Sequence, residues 1–114
     1  MEIEEIIKQQ QKFDIDHKSN FSWNQKIDDE NIQVLQFLLL SMVGEFGETS
    51  NLVKKVVRGD CKLEDIKELL SEEVIDILIY VIKLIYQLDI NLEETYTNKM
   101  EKNKLRFEKY RKEE

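Results

Sequence analysis

The sequence contains no proline and only three glycines in 114 residues. Because these two residues mark most tight turns and strand ends, their scarcity argues against a sandwich or barrel of many short strands. Strong helix formers such as Leu, Lys, Glu and Gln are abundant instead. We therefore predict an all-α fold, with one helical domain that spans residues 1–114.

The sequence also has little of what disulfides, signal peptides and membrane spans require. Its single cysteine, Cys61, has no partner for an intrachain disulfide, and the first residues lack the basic and then apolar order of a signal peptide. The longest strongly apolar stretch, residues 74–88, is interrupted by polar side chains and is shorter than the ~20 residues of a transmembrane helix. We expect a cytoplasmic protein that does not enter a membrane.

An excess of positive charge is also lacking, because 24 acidic residues outnumber 17 basic ones and give a formal net charge of -7 and an isoelectric point near 4.9. Long nucleic acids are bound largely through Lys and Arg that neutralise phosphates, so a nucleic-acid polymer is disfavoured as a partner. A small phosphorylated ligand stays open, because a bound cation can reverse the local sign of the charge.

Apolar residues at helical spacing predict a short N-terminal helix over residues 2–13, an ordered loop over 14–30, and three long helices. The long helices are expected over 31–58, 63–88 and 91–111, with Gly59 as a helix stop and Asn91 as a helix cap paired with Glu94. Beyond Glu73 the second long helix is apolar nearly all round, and a chain this short can hardly cover it. We therefore predict a helical bundle that is completed by self-association as a dimer or tetramer.

Four carboxylates form the most informative pattern. Two pairs lie three residues apart on the first and second long helices, so each pair projects from one face of its helix: Glu45 with Glu48, and Glu73 with Asp76. All four are set among apolar residues, where an unpaired ion is costly to bury. Any one of them could simply point to water, but together they indicate a cation site. Oxygen ligands favour Mg²⁺ over Zn²⁺, and the single histidine excludes a ferritin-like di-iron site.

These residues also carry a family resemblance. Glu45-Phe46-Gly47-Glu48, followed after 24 residues by Glu73-Val74-Ile75-Asp76, resembles the E-x-x-E and E-x-x-D signature of the MazG-type all-α nucleoside triphosphate pyrophosphohydrolases. The likeness covers residues 35–107, is nearest to the small branch that acts on deoxycytidine triphosphate, and leaves the first thirty residues poorly matched. It includes four further positions: Tyr80, Lys99, Asn103 and Arg106.

The resemblance implies hydrolysis of a nucleoside triphosphate to the monophosphate and pyrophosphate, for housecleaning of the nucleotide pool. It implies Mg²⁺ as cofactor, with Mn²⁺ as a substitute, in a dimer or tetramer of helical subunits. Position by position, it makes the four acids metal ligands and places Tyr80 beside the nucleotide. It also implies phosphate or sugar contacts by three residues of the third long helix: Lys99, Asn103 and Arg106.

Several roles stay open at this point. The general base that accepts a proton from water is either Glu48 or Glu72. Trp23 either stacks on the base of the nucleotide or pins its loop to the core, and His17 is expected at the surface. The basic face of the third long helix is equally consistent with simple exposure to solvent.

Two other functions are compatible with the same residues. The chain could be a non-catalytic helical oligomer that binds a cation and acts as a regulatory interaction module. It could also be a phosphohydrolase of related fold that accepts nucleoside diphosphates as well as triphosphates. Turnover, rather than metal binding, separates the two enzymes from the binding module.

Overall fold

A computed structural model describes residues 1–17 and 20–112, and within these residues the chain is all-α, without a strand. Four helices follow one another along the chain, and a short 3₁₀ turn, Glu108–Tyr110, comes after the last. The predicted all-α class is confirmed. The helices are α1 (Ile3–Asp16), α2 (Ile32–Val57), α3 (Leu63–Gln87) and α4 (Leu92–Arg106).

The main departure from prediction is the end of α1, which continues three residues beyond the predicted Phe13. Asp14, expected in the loop, lies in the last turn of α1 and is only 2% exposed. The loop assignment was wrong there because partners from α3 stabilise this buried carboxylate, and their proximity depends on tertiary structure. The predicted extension of α4 to residue 111 was also wrong, since the α-helix ends at Arg106.

The connection between α2 and α3 reverses the chain at Gly59. Its φ of +85° lies in the left-handed region that glycine adopts without strain. The amide of Gly59 donates to the carbonyl of Val56, and the amide of Asp60 donates to that of Lys55, which is the Schellman pattern of a helix end. The predicted helix stop is confirmed, and this short reversal lets α3 pack along α2.

The central element is α3, which packs against α2 and, at its C-terminal half, against α1. The buried apolar core of the described residues is small and comprises Val34, Leu38, Ile66 and Ile82. By contrast, none of the residues of α4, from Leu92 to Arg106, is buried. Asn91 caps α4 as predicted, with its side chain accepting a hydrogen bond from the amide of Glu94 at 3.1 Å.

Large apolar side chains are exposed along the outer faces of α2 and α3. Leu40, Val43 and Phe46 on α2 and Val74 and Ile75 on α3 are each more than half exposed. No helix within residues 1–17 and 20–112 is both long enough and apolar enough to cross a membrane.

Candidate metal centre and adjoining cleft

Three carboxylates from two helices meet between α2 and α3. Glu45 projects from α2, and Glu73 and Asp76 project from one face of α3 because they lie three residues apart. Each offers a carboxylate oxygen, and these oxygens all lie within 4.8 Å of one another. The packing of α3 along α2 thus brings together three of the four acids that the sequence predicts as metal ligands.

The electrostatics of this triad are unfavourable in the absence of a cation. The pKa of Glu45 is raised, first by burial, then by repulsion from Glu48, Asp76 and Glu73, and by a hydrogen bond with Glu73. Within the described part of the chain, Oε2 of Glu45 and Oε2 of Glu73 are buried and have no hydrogen-bond partner. Buried anionic oxygens without donors are costly, and a cation among them would remove that cost.

The chemistry of these ligands restricts which cation fits. All three side chains offer carboxylate oxygen, which suits hard ions such as Mg²⁺ or Mn²⁺, whereas Zn²⁺ prefers nitrogen and sulfur. A Mg²⁺ ion commonly keeps several waters and takes only a few protein carboxylates, so three acids are sufficient. The site therefore fits the predicted cofactor by its ligand type.

The two candidates for the general base stand differently with respect to the triad. Glu48 is exposed one turn beyond Glu45 on α2 and stands outside the group of oxygens within 4.8 Å, although it is near enough to raise the pKa of Glu45. Glu72 is exposed on α3, directly before Glu73. Of the two, only Glu48 acts on the triad by a resolved electrostatic effect.

A cleft with a volume of about 460 Å³ opens beside the triad. Glu45 and Asp76 form part of its wall, and Tyr80 continues the wall one turn further along α3. Trp23, which comes from the loop between α1 and α2, also lines the cleft. Two of the aromatic residues predicted to contact a nucleotide therefore share a cavity with two of the predicted metal ligands.

The remaining wall comes from residues to which the sequence analysis assigned no site role. Gln10, Phe13, Asp14 and His17 of the α1 segment line the cleft, as does Lys83 of α3. His17 is exposed, as expected. Lys83 could have been suspected from sequence, because an isolated charge in an apolar helix needs a partner. Asp14 offered no such signal, since a polar side chain is ordinary in the loop that the sequence predicts there.

The structure does not bring the predicted α4 residues to this cleft. Lys99, Asn103 and Arg106 are absent from its lining within the part of the chain that is described. The guanidinium of Arg106 instead lies 5.0 Å from the centroid of the Phe107 ring. Any contact between these side chains and a ligand in the cleft would require α4 to pack differently or to come from another subunit.

Comparisons with models of known protein families, with curated protein sequences and with solved structures find no match to this chain. Its function therefore has to be argued from the residues and their geometry.

Proposed function

We propose that this protein is a magnesium-dependent nucleoside triphosphate pyrophosphohydrolase of the MazG type. The observation that carries the proposal is the convergence of Glu45, Glu73 and Asp76, with two buried oxygens that lack partners, beside a cleft lined by Trp23 and Tyr80. In a protein with a net charge of -7, bound cations would offset the repulsion between the acidic triad and a triphosphate, and here the cation ligands adjoin a space of ligand size.

In this proposal the triad holds Mg²⁺, with Glu48 as a fourth ligand or as the base. When bound, the ion neutralises phosphate oxygens and makes an attacking water more acidic. The protein's own contribution is to fix the ligands on two packed helices, so that little rearrangement is needed when the substrate binds. Burial raises the pKa of Glu45, and a cation held beside it would favour the charged carboxylate again.

The reaction is an attack by water on the α-phosphorus, with cleavage of the bond from that phosphorus to the oxygen that bridges to the β-phosphate. Pyrophosphate leaves, the nucleoside monophosphate remains, and the proton of the water passes to a carboxylate. Glu48 or Glu72 is proposed to accept that proton: Glu48 is close enough to raise the pKa of Glu45, and Glu72 directly precedes Glu73 in sequence.

The nucleoside is proposed to occupy the cleft, with its phosphates directed toward Glu45 and Asp76. Trp23 and Tyr80 offer aromatic surfaces on which a flat base can stack, a contact worth about 1–3 kcal/mol per base in proteins that bind single-stranded nucleic acid. The cleft volume of about 460 Å³ falls in the range of small-molecule sites. An enzyme that acts on free nucleotides would work in the cytoplasm.

Self-association belongs to the same proposal. The chain exposes 9304 Å², whereas a compact 13.7 kDa protein exposes about 6,600 Å². Its radius of gyration is 17.8 Å, against about 13 Å for a compact domain of this length. The excess surface has the magnitude that an obligate homodimer or larger oligomer buries.

Oligomerisation would also give α4 a partner. This helix exposes Tyr96, Met100 and Leu105, which a neighbouring subunit could cover. We infer that such packing brings Lys99, Asn103 and Arg106 toward the phosphates of a bound nucleotide. Arg is well suited to that task, because its planar group can donate two parallel hydrogen bonds to a phosphate.

The test is a pyrophosphate-release assay with Mg²⁺ across standard and modified nucleoside triphosphates. The parent protein should release pyrophosphate, Asp76→Asn should abolish release, and Glu68→Gln should retain it, because Glu68 is an exposed acid of α3 outside the triad. Equal activity of the Asp76→Asn protein would refute the proposed site.

The same assay separates the alternative functions. Saturable binding of Mg²⁺ by a folded oligomer, with no turnover of any nucleotide, would favour a non-catalytic binding module. Release of inorganic phosphate from nucleoside diphosphates would favour the broader phosphohydrolase. The triad is compatible with both alternatives, and the adjoining aromatic cleft supports a nucleotide as the ligand.

A further inference from the structure

A buried polar cluster joins α1 to the C-terminal half of α3; three of its residues, Gln10, Asp14 and Lys83, line the cleft, and none belongs to the triad. At its centre lies the Asp14 carboxylate, which accepts hydrogen bonds from Lys83 Nζ at 2.7 Å, Gln10 Nε2 at 2.9 Å and the Tyr86 hydroxyl at 2.5 Å. Asp14 is 2% exposed and the Lys83 side chain 9%. The negative charge of Asp14 and the positive charge of Lys83 therefore form a buried ion pair.

The same part of α3 holds Trp23 at two points. Gln87, which is almost fully buried, donates a hydrogen bond from Nε2 to the carbonyl oxygen of Trp23. The ammonium of Lys83 lies 4.8 Å from the centroid of the Trp23 ring, which is the geometry of a cation–π contact. The hydrogen bond from Gln87 fixes the backbone of the loop at Trp23, and the ammonium of Lys83 contacts the indole ring.

The hydroxyl proton of Tyr86 can be donated to only one of two nearby acceptors, Asp14 or the Trp23 carbonyl. Tyr86 has a single hydroxyl hydrogen, and its oxygen lies nearer to Asp14 than to the Trp23 carbonyl, which is 3.2 Å away. Burial and the bond to Asp14 raise the pKa of Tyr86, so the hydroxyl keeps its proton and donates it to Asp14. Gln87 is then the donor that satisfies the Trp23 carbonyl.

We propose that Asp14, Lys83, Tyr86 and Gln87 are positioning residues that hold Trp23 as a preformed wall of the cleft beside the acidic triad. A loop that is already ordered needs no further ordering when a ligand binds, so its contact contributes fully to affinity. The ligand on this wall is a flat nucleotide base, an assignment that rests on the proposed function. The fixation of Trp23 itself does not depend on that function.

The chain offers a direct reporter, since Trp23 is its single tryptophan. The test compares acrylamide quenching of its fluorescence in the parent protein, in Lys83→Met, and in the double variant Asp14→Asn/Lys83→Met. The double variant removes both buried charges together, so it decides the question if Lys83→Met alone does not fold. Lys12→Met is the matched control, because Lys12 pairs with Asp16 on the same α1 helix at 2.8 Å but in an exposed position.

The expected result is a higher quenching constant for Trp23 in both Lys83 variants, with helix content unchanged and with Lys12→Met like the parent. KM for the triphosphate should rise by about tenfold, the loss of roughly one base-stacking contact, while kcat stays within about twofold. Quenching constants equal to those of Lys12→Met would overturn the proposal.

Failure of the proposed function would look different. A parent protein that neither releases pyrophosphate nor binds an α,β-imido nucleoside triphosphate with Mg²⁺ is not the proposed enzyme. Quenching would still decide whether Asp14 and Lys83 position Trp23, because that measurement uses no nucleotide. If a nucleotide binds and the Lys83 variants change quenching without changing KM, the wall is fixed as proposed but the base does not rest on it, which refutes the ligand assignment.

Discussion

Replacing Glu45 with glutamine should stabilise the protein without metal and weaken its response to Mg²⁺. Glu45 is repelled by Asp76 and Glu73, with carboxylate oxygens within 4.8 Å of one another. Two unit charges at 4.8 Å repel by roughly 0.9 kcal/mol in water and roughly 3.5 kcal/mol at an effective dielectric constant of about 20. Because the site is half-open to solvent, we expect a gain near the lower figure, about 1 kcal/mol.

Thermal unfolding followed by far-ultraviolet circular dichroism, in EDTA and in MgCl₂, measures both effects. In EDTA the Glu45→Gln protein should melt about 4 °C higher than the parent. At a Mg²⁺ concentration about ten times the dissociation constant, the parent should gain about 1.4 kcal/mol, while the variant gains much less. Glu68→Gln, which changes an exposed acid on α3, should behave like the parent in both solutions.

The pH dependence provides an independent arm of the same prediction. The folded-state pKa of Glu45 is raised above its ordinary value of 4.5, so the folded protein binds more protons than the unfolded chain between these two values. The contribution of Glu45 to stability is therefore present below its ordinary pKa and is lost as pH rises through the raised value. Glu45→Gln should remove this part of the pH dependence of the free energy of unfolding. A lower melting temperature in EDTA, together with an unaltered Mg²⁺ response, would refute the reasoning.

Three further changes test the fold. Gly59→Ala should lower the free energy of unfolding in urea by about 1 kcal/mol, because Gly59 has φ of +85°; no loss would mean that the helix end relaxes. Asn91→Ala should increase hydrogen exchange in α4 by about fivefold, equivalent to about 1 kcal/mol of lost capping, whereas unchanged exchange would contradict a role for the cap. Lys83→Met should lower the free energy of unfolding in urea by about 3–5 kcal/mol, because it leaves the buried Asp14 carboxylate unpaired. The double variant Asp14→Asn/Lys83→Met removes both charges and should lose less. A loss in the double variant equal to the sum of the losses in the two single variants would refute the coupling between Asp14 and Lys83.

Much of the local structure is determined by the sequence alone. The lack of proline and the helical spacing of apolar residues are sufficient to predict α2 and α3 within a residue or two, because these signals act over one or two turns of chain. Gly59 and Asn91 mark a helix end and a helix start for equally local reasons. The spacing of Glu73 and Asp76 places both on one face of α3 without reference to any other element.

What the tertiary structure alone decided is which side chains meet. The packing of α3 on α2 brings Glu45 to Glu73 and Asp76 and leaves Glu48 outside that group, a distinction that identical three-residue spacings cannot make. The burial of Asp14 depends on Lys83, 69 residues further along the chain. A buried charge is stabilised by partners that are near in space rather than in sequence, so its role can be read only once the helices are packed.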